Sequence, residues 1–293
     1  MKIYIVPNYI HQMNLKSLLL CIDFNKWQCV DNIFDADIIY SPSEPINIQY
    51  KEKLYIFGPH FSVFPDSKIA SIDNKFNNAI YIQPSLWPIS LWKDDFNYNF
   101  IPILPYAFCI DELKYNESNK EKSEIFIYLK NRNMDEINFV LDYLNKIGIK
   151  YTIINYGNYN EDDFIELLGK SKYGIWIGSH ESQGFALECA LSCGVPLLVW
   201  NVSKLCQETG CPAIYYSAKT IATSIPYWDT RCGEYFYDKE QFIETFEKFL
   251  SKLDQYKPRN FILETLSTKI RANALADLVK INQHETKLPQ TET

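Results

Sequence analysis

The chemistry-bearing residues of this chain concentrate in residues 179–202, Ser-His-Glu-Ser-Gln-Gly-Phe-Ala-Leu-Glu-Cys-Ala-Leu-Ser-Cys-Gly-Val-Pro-Leu-Leu-Val-Trp-Asn-Val. An apolar run ending at Gly178 meets a short polar loop, then a compact helix stopped by Gly194 and Pro196, then a second apolar run. That order predicts strand, site loop, buried helix and strand. Ser179 and Ser182 are placed to cap the helix start, leaving the backbone N–H groups of Ser182 to Phe185 outward with the positive end of the helix dipole behind them. Such a corner receives phosphate. Gly184 allows close approach to the backbone, while His180, Glu181 and Gln183 offer hydrogen bonds to a hydroxylated group. Phosphate plus sugar is the ligand these residue types suit.

The block from Glu181 to Pro196 resembles the donor-binding block of GT-B glycosyltransferases, above all the large retaining group that includes family 4 (glycosyltransferase group 1). In that family a glutamate followed by Gly-Phe and an aliphatic pair opens a helix, a second glutamate lies eight positions on, and Gly-x-Pro closes it. Glu181 matches the first glutamate; the second position holds Cys189, and Glu188 stands one place early. On a helix that offset is a rotation of about 100°. The resemblance implies two Rossmann-like domains, the N-terminal one reduced, with a C-terminal helix crossing back to the first. It implies transfer of a sugar from a nucleoside-diphosphate sugar to a hydroxyl acceptor such as a saccharide, with retention and without a metal or other cofactor. Ser179, His180, Ser182, Gln183, Gly184, Phe185 and Glu188 then belong to the donor site, with Glu181 orienting the sugar. Three other readings stay open: an ordinary strand-helix-strand unit, an epimerase acting on nucleoside-diphosphate sugars, and a noncatalytic binding module, for which Cys189 speaks.

Lys130 and Arg132 follow a predicted strand and can meet a diphosphate, Arg through its fork and Lys as a point charge. The resemblance agrees, although the family's pair is spaced more widely; a solvated pair at a strand end fits the same residues. His60, in Phe57-Gly58-Pro59-His60-Phe61, also follows a strand. It is a candidate catalytic base, a donor to the sugar, an acceptor contact, or a structural histidine. Asn8 and His11 follow the first strand. Trp87 and Trp92 can stack on a sugar or pack in the core, and the loop 227–233 can cover a ligand or pack between helix and sheet.

The elements that position these residues follow from patterning. Lys2 to Val6, Ile38 to Tyr40, Leu54 to Phe57, Ala79 to Ile82 and Ile101 to Leu104 read as strands, joined by a helix at Leu15 to Cys21 and a helical or irregular stretch over 67–77. From Glu124 the alternation becomes regular: strands Ile125 to Leu129, Tyr151 to Asn155, Tyr173 to Ile177, Leu197 to Trp200 and Ala213 to Tyr216, and helices over 135–147, 161–170, 239–253 and 260–281. Near-continuous apolar strands between amphipathic helices mean parallel sheets covered on both faces, with ligands at the strands' carboxyl ends. The polar stretch 115–123 is the predicted linker, separating domain 1–114 (joined by the helix over about 260–283) from domain 124–257; residues 284–293 read as a frayed tail.

With 293 residues, 47% of them hydrophobic, the chain is long enough for two cores. Its net charge of −7 gives no reason to expect nucleic-acid binding. The eight cysteines include no Cys-x-x-Cys pair, and the four histidines are not spaced with them as zinc ligands, so no metal site is predicted. Reduced cysteines within apolar runs point to a cytoplasmic protein, and no apolar stretch is long enough for a membrane span.

Overall fold

A computed structural model describes residues 1–66, 78–98, 101–118 and 121–285. The chain divides into two compact units, one formed by Met1–Asp111 with the segment from Leu266 onward, the other by Glu112–Thr265. The expectation for residues 67–77 and that for the tail beyond residue 285 lie outside the described residues.

The first unit contains β1 (Lys2–Ile5), α1 (Gln12–Phe24), β2 (Gln28–Cys29), β3 (Ile38–Ser41), β4 (Leu54–Phe57), β5 (Ala79–Gln83), α2 (Leu86–Ser90) and β6 (Ile103–Pro105). Its sheet is parallel throughout, in the order β2-β1-β3-β4-β5-β6. Strands β3, β4 and β5 are buried along their whole length, which explains why their sequences are apolar on both alternating faces. This unit is reduced in its connections and not in its strands: residues 42–53 join β3 to β4 without a helix.

The second unit contains β7 (Glu124–Leu129), α3 (Met134–Lys146), β8 (Thr152–Asn155), α4 (Glu161–Lys170), β9 (Ser171–Ile177), α5 (Phe185–Ser192), β10 (Leu197–Trp200), α6 (Ala213–Ser217), β11 (Gly233–Phe236), α7 (Phe242–Ser251) and α8 (Pro258–Thr265). All its strands are parallel, in the order β11-β10-β9-β7-β8. Asn133 and Asn160 start α3 and α4 by accepting from the backbone N–H groups of Asp135 and Asp163. Ile137, Val140 and Leu144 of α3 and Phe242, Phe246 and Phe249 of α7 then pack with Ile127, Ile175 and Leu198 of the sheet. Each buried phenylalanine contributes about 1.5–3 kcal/mol relative to exposure. On other strand residues Tyr128 and Trp176 stack at 3.8 Å, 7° from parallel, beside Phe164 of α4.

Four expectations are corrected. Residues 213–217 form the short helix α6, not a strand, and the fifth strand is β11, inside a stretch read as loop. The edge strand β2 is too short and exposed to show a pattern. The helix expected over 239–253 narrows to α7 with a single 3-10 turn on either side. The single helix expected over 260–281 is two, because the chain breaks between α8 and α9 (Thr268–Glu285). At that break Ile110 N–H donates to Leu266 O at 2.9 Å and Ile110 bridges to Ser267. α9 then packs on α1, with Asn25 Nδ2 donating to Ala272 O and Arg271 Nε to Ala107 O.

In both sheets the strand order reverses beside the first strand of the unit: β1 lies between β2 and β3, and β7 lies between β8 and β9. At such a switch point the loops leave toward opposite faces and open a crevice at the carboxyl ends. Among the described residues no helix is long and apolar enough to cross a membrane.

Candidate functional sites at the two switch points

At the switch point of the second unit, Lys130 leaves β7 and Ser179, His180 and Glu181 leave β9. Lys130 Nζ lies 2.7 Å from Glu181 Oε1, with 14% and 16% of the two side chains exposed. The ammonium also sits 4.6 Å from the ring centre of Tyr156, just after β8. Burial by itself favours the neutral amine, but the Glu181 carboxylate, with Tyr156 and Glu208, outweighs it and holds the Lys130 pKa above its ordinary value. Glu181 is fixed at its backbone, where its N–H donates to Thr223 O at 2.9 Å.

The helix beside this pair starts later than the serines suggest. Gly184 is the N-cap of α5, at φ 99° and ψ 44°, and neither Ser179 nor Ser182 occupies the cap position. A Cβ on Gly184 would meet nothing nearer than 3.6 Å, so glycine is required there by backbone conformation and not by crowding. The first intrahelical bond runs from Glu188 N–H to Gly184 O at 2.9 Å, which puts the positive end of the α5 dipole at this turn. Ser182 and Phe185 are half-buried beside it, and Ser179 is buried.

His180 is held from one side, its Nδ1 3.2 Å from Glu208 Oε2 and its ring edge-on to Tyr215 at 5.8 Å. Gln183 and Glu188 turn inward: Gln183 Nε2 donates to Glu188 Oε2 at 2.9 Å, and both side chains are buried. Glu188 therefore turns its carboxylate to the interior, against Gln183, and not to the surface. Cys189 is buried as well, and its thiol pKa is pushed well up by burial.

Arg132 also departs from expectation. Its side chain is wholly buried; Nε and Nη2 donate to the two carboxylate oxygens of Glu136 at 2.7 and 2.9 Å. Nη1 donates to Gly178 O at 3.1 Å and Trp200 O at 3.3 Å, and the guanidinium lies 5.1 Å from the Trp200 ring centre. Instead of facing a ligand, Arg132 clamps the carboxyl ends of β9 and β10 to the start of α3.

The structure thus gathers Lys130, His180, Glu181 and the start of α5, and sends Arg132, Gln183 and Glu188 into the interior. Tyr156, Glu208 and Thr223 belong to the site and carry no motif. Only Tyr156, which follows β8 directly, was open to detection by strand-end reasoning. In the loop 227–233, Arg231 is paired with Asp229 and Glu264, and the loop ends in β11. Among the described residues no group of three or more His, Cys, Asp or Glu side chains is arranged to hold a metal ion.

At the switch point of the first unit, an open pocket of about 640 Å³ is lined by Pro7, Asn8 and Tyr9 after β1, Ser43 and Glu44 after β3, and Phe61. His60 lies behind it. Its side chain is 1% exposed, Nδ1 donates to Ser43 O at 2.8 Å, and Nε2 is 3.5 Å from Asp66 Oδ2. The first of these contacts holds Ser43, a non-glycine residue at φ 63°, so His60 is buried against the backbone of the β3 loop. His11 accepts from Met13 N–H as the N-cap of α1. Trp87 and Trp92 are core residues, Trp92 Nε1 donating to Val63 O.

No protein-family model matches the chain, and no curated protein matches it. Solved structures do. The apo form of the lipopolysaccharide outer core galactosyltransferase WaaB superposes with a TM-score of 0.54 at 12% identity, over 98% of this chain and 100% of that one. The GtfA/B complex gives 0.51 at 13% identity, over 94% of this chain and 61% of that one. At such identity the likeness speaks for architecture. Two parallel Rossmann-like sheets with these strand orders, matched over nearly the whole chain, show that the protein has the GT-B fold.

Proposed function

We propose that the protein transfers a sugar from a nucleoside-diphosphate donor to a hydroxyl acceptor, with the donor bound in the second unit. The observation that carries this reading is the Lys130–Glu181 pair at the switch point, beside the N-terminal end of α5. A diphosphate has the charge to take Lys130 from Glu181. The released carboxylate is then an acceptor for sugar hydroxyls, so one exchange of partners both binds the phosphates and orients the sugar. As the glycosidic bond breaks, charge grows on the departing diphosphate; Lys130 and the α5 N–H groups are preorganised to stabilise it, commonly worth about 3 kcal/mol per donor. In this reading no metal is required, and retention is the outcome implied by the family resemblance. The eight cysteines, all free, fit a reducing, cytoplasmic location.

The test is a thermal-shift screen of nucleotide sugars, followed by an assay of nucleoside-diphosphate release with and without saccharide acceptors. Acceptor-dependent release that Lys130→Met abolishes is the expected result. Failure of every nucleotide sugar to shift the melting temperature would remove the proposal. Tight binding without release across the acceptor panel would favour a noncatalytic sugar-nucleotide module, the reading that buried Cys189 in the second glutamate position supports.

A further inference from the structure

Asn201 is the first residue after β10, inside the apolar run from Leu197 to Val202, and only 3% of it is exposed. An amide in such a place is costly unless it is hydrogen-bonded. Its backbone N–H donates to Phe236 O at 2.8 Å and its Nδ2 to the Tyr237 hydroxyl at 3.4 Å, tying the end of β10 to the end of β11. On the other side Oδ1 accepts two bonds, from the Ser224 N–H at 2.7 Å and from the Thr223 hydroxyl at 3.0 Å. A backbone N–H can only donate, so the Ser224 bond fixes which end of the amide faces this loop. The Thr223 hydroxyl, its proton given to Asn201, accepts in turn from the Ile225 N–H at 3.1 Å.

One side chain thereby holds residues 223–225, which belong to no helix or strand. That segment backs the donor crevice. Thr223 O accepts the Glu181 N–H at 2.9 Å, and Ser224 O lies 3.9 Å from where a Cβ on Gly184 would stand. Asn201 touches neither Lys130 nor Glu181; it acts through Thr223 on the backbone of Glu181. Lys130 is carried by β7, which is separated from β10 by β9.

We infer that Asn201 is a positioning residue for the sugar end of the donor site: by pinning residues 223–225 it sets the place from which the Glu181 carboxylate meets sugar hydroxyls, and it leaves the diphosphate end to Lys130. The inference rests on the proposed transfer reaction in calling Glu181 a sugar contact; the pinning of Glu181 does not depend on it.

The test compares the full chain with Asn201→Leu, which keeps the bulk and loses both Oδ1 bonds, and Asn201→Asp, which keeps both. Amide hydrogen exchange read without ligand gives the first result: in Asn201→Leu the Glu181 and Ser224 amides exchange at least about tenfold faster while β7 stays protected, and in Asn201→Asp they return to within about threefold of the unaltered chain. Calorimetry with UDP, ADP and GDP and with their glucose conjugates gives the second. Asn201→Leu lowers the affinity for the nucleotide sugar about fivefold and for the matching nucleoside diphosphate less than about twofold, and the transfer kcat falls about tenfold, with aspartate restoring both. Unchanged exchange at Glu181 overturns the inference. So does an equal loss of affinity for nucleotide sugar and nucleoside diphosphate, the mark of a merely structural role, or an aspartate variant that behaves like leucine. Where Asn201→Leu does not fold, Thr223→Val, which removes one of the two Oδ1 bonds, is read in the same way. The donor reading fails separately: if no nucleotide sugar binds the unaltered chain, the transferase is lost, while exchange at Glu181 still decides whether Asn201 pins it.

Discussion

The two switch points are topological twins with opposite chemistry. Each lies beside the first strand of a parallel sheet, and each is walled by the loops after that strand and the strand next but one in sequence. In the second unit those loops bring a lysine, a histidine and a glutamate to the start of α5; in the first they bring two exposed aromatic rings and a carboxylate. Strand order therefore fixes where a crevice opens and says nothing about what enters it. Function lies in the handful of residues placed just past the strands.

Variants that touch one crevice and spare the other test this contrast. Arg132→Met has the largest expected effect, since it strands Gly178 O, Trp200 O and Glu136 around a buried site. Removing one partner from such an arrangement costs about 3 kcal/mol or more. Chemical denaturation followed by hydrogen exchange should find the loss confined to residues around β9, β10 and α3. An unchanged midpoint would mean that the clamp does not stabilise the second unit.

Next is Lys130→Met, expected to weaken nucleoside-diphosphate affinity by about 2 kcal/mol, or roughly thirtyfold, because a charge-assisted contact is lost. Calorimetry with a nucleoside diphosphate on the unaltered chain and the variant makes the comparison. A smaller, oppositely signed effect is expected of Glu181→Gln. Without the carboxylate competing for Lys130, affinity for the nucleoside diphosphate rises roughly fivefold, about 1 kcal/mol, while the transfer rate falls because the sugar is no longer oriented. A loss of both would show that the ion pair supports the site and does not stand in for the donor.

The smallest effect is one of pH. Because the Lys130 pKa is raised in the folded protein, its charge contributes stability that is fully present below the ordinary lysine value of 10.5 and is lost as pH rises through the folded value. The stability difference between the unaltered chain and Lys130→Met should hold steady across neutral pH and narrow only in strong alkali. A gap that closes between neutral pH and that value would assign the ionisation elsewhere.

Much of the scaffold was legible in the chain. β4, α4 and β10 were readable to the residue, because short apolar runs and an Asn-capped acidic helix start are local signals. β2 and β11 were not, since their pairing is supplied by neighbouring strands and their own residues are partly polar or exposed. The break between α8 and α9 was hidden for a related reason: Leu266–Ser267 pairs with Ile110, far away in sequence. Within the site, Lys130, His180, Glu181 and Gly184 could be named from position and type. Glu208 and Thr223 could not, because they reach the site from a long loop without periodicity.

The sequence by itself determined the alternation of strands and helices, and hence two parallel sheets with loops gathered at their carboxyl ends. It also determined which residues stand in those loops. Only the tertiary structure decided which of them face out. Lys130 and Arg132 are two residues apart, yet Asn131 between them takes a φ of 49°, so the strand's regular alternation ends there. Lys130 meets Glu181 at the crevice while Arg132 is buried against carbonyls from β9 and β10. His60 and Phe61 divide in the same way, the histidine closing on Ser43 and the phenylalanine lining the pocket. Residue type sets what a side chain can bind; whether it meets a ligand or its own protein depends on backbone turns and long-range partners that local sequence does not encode.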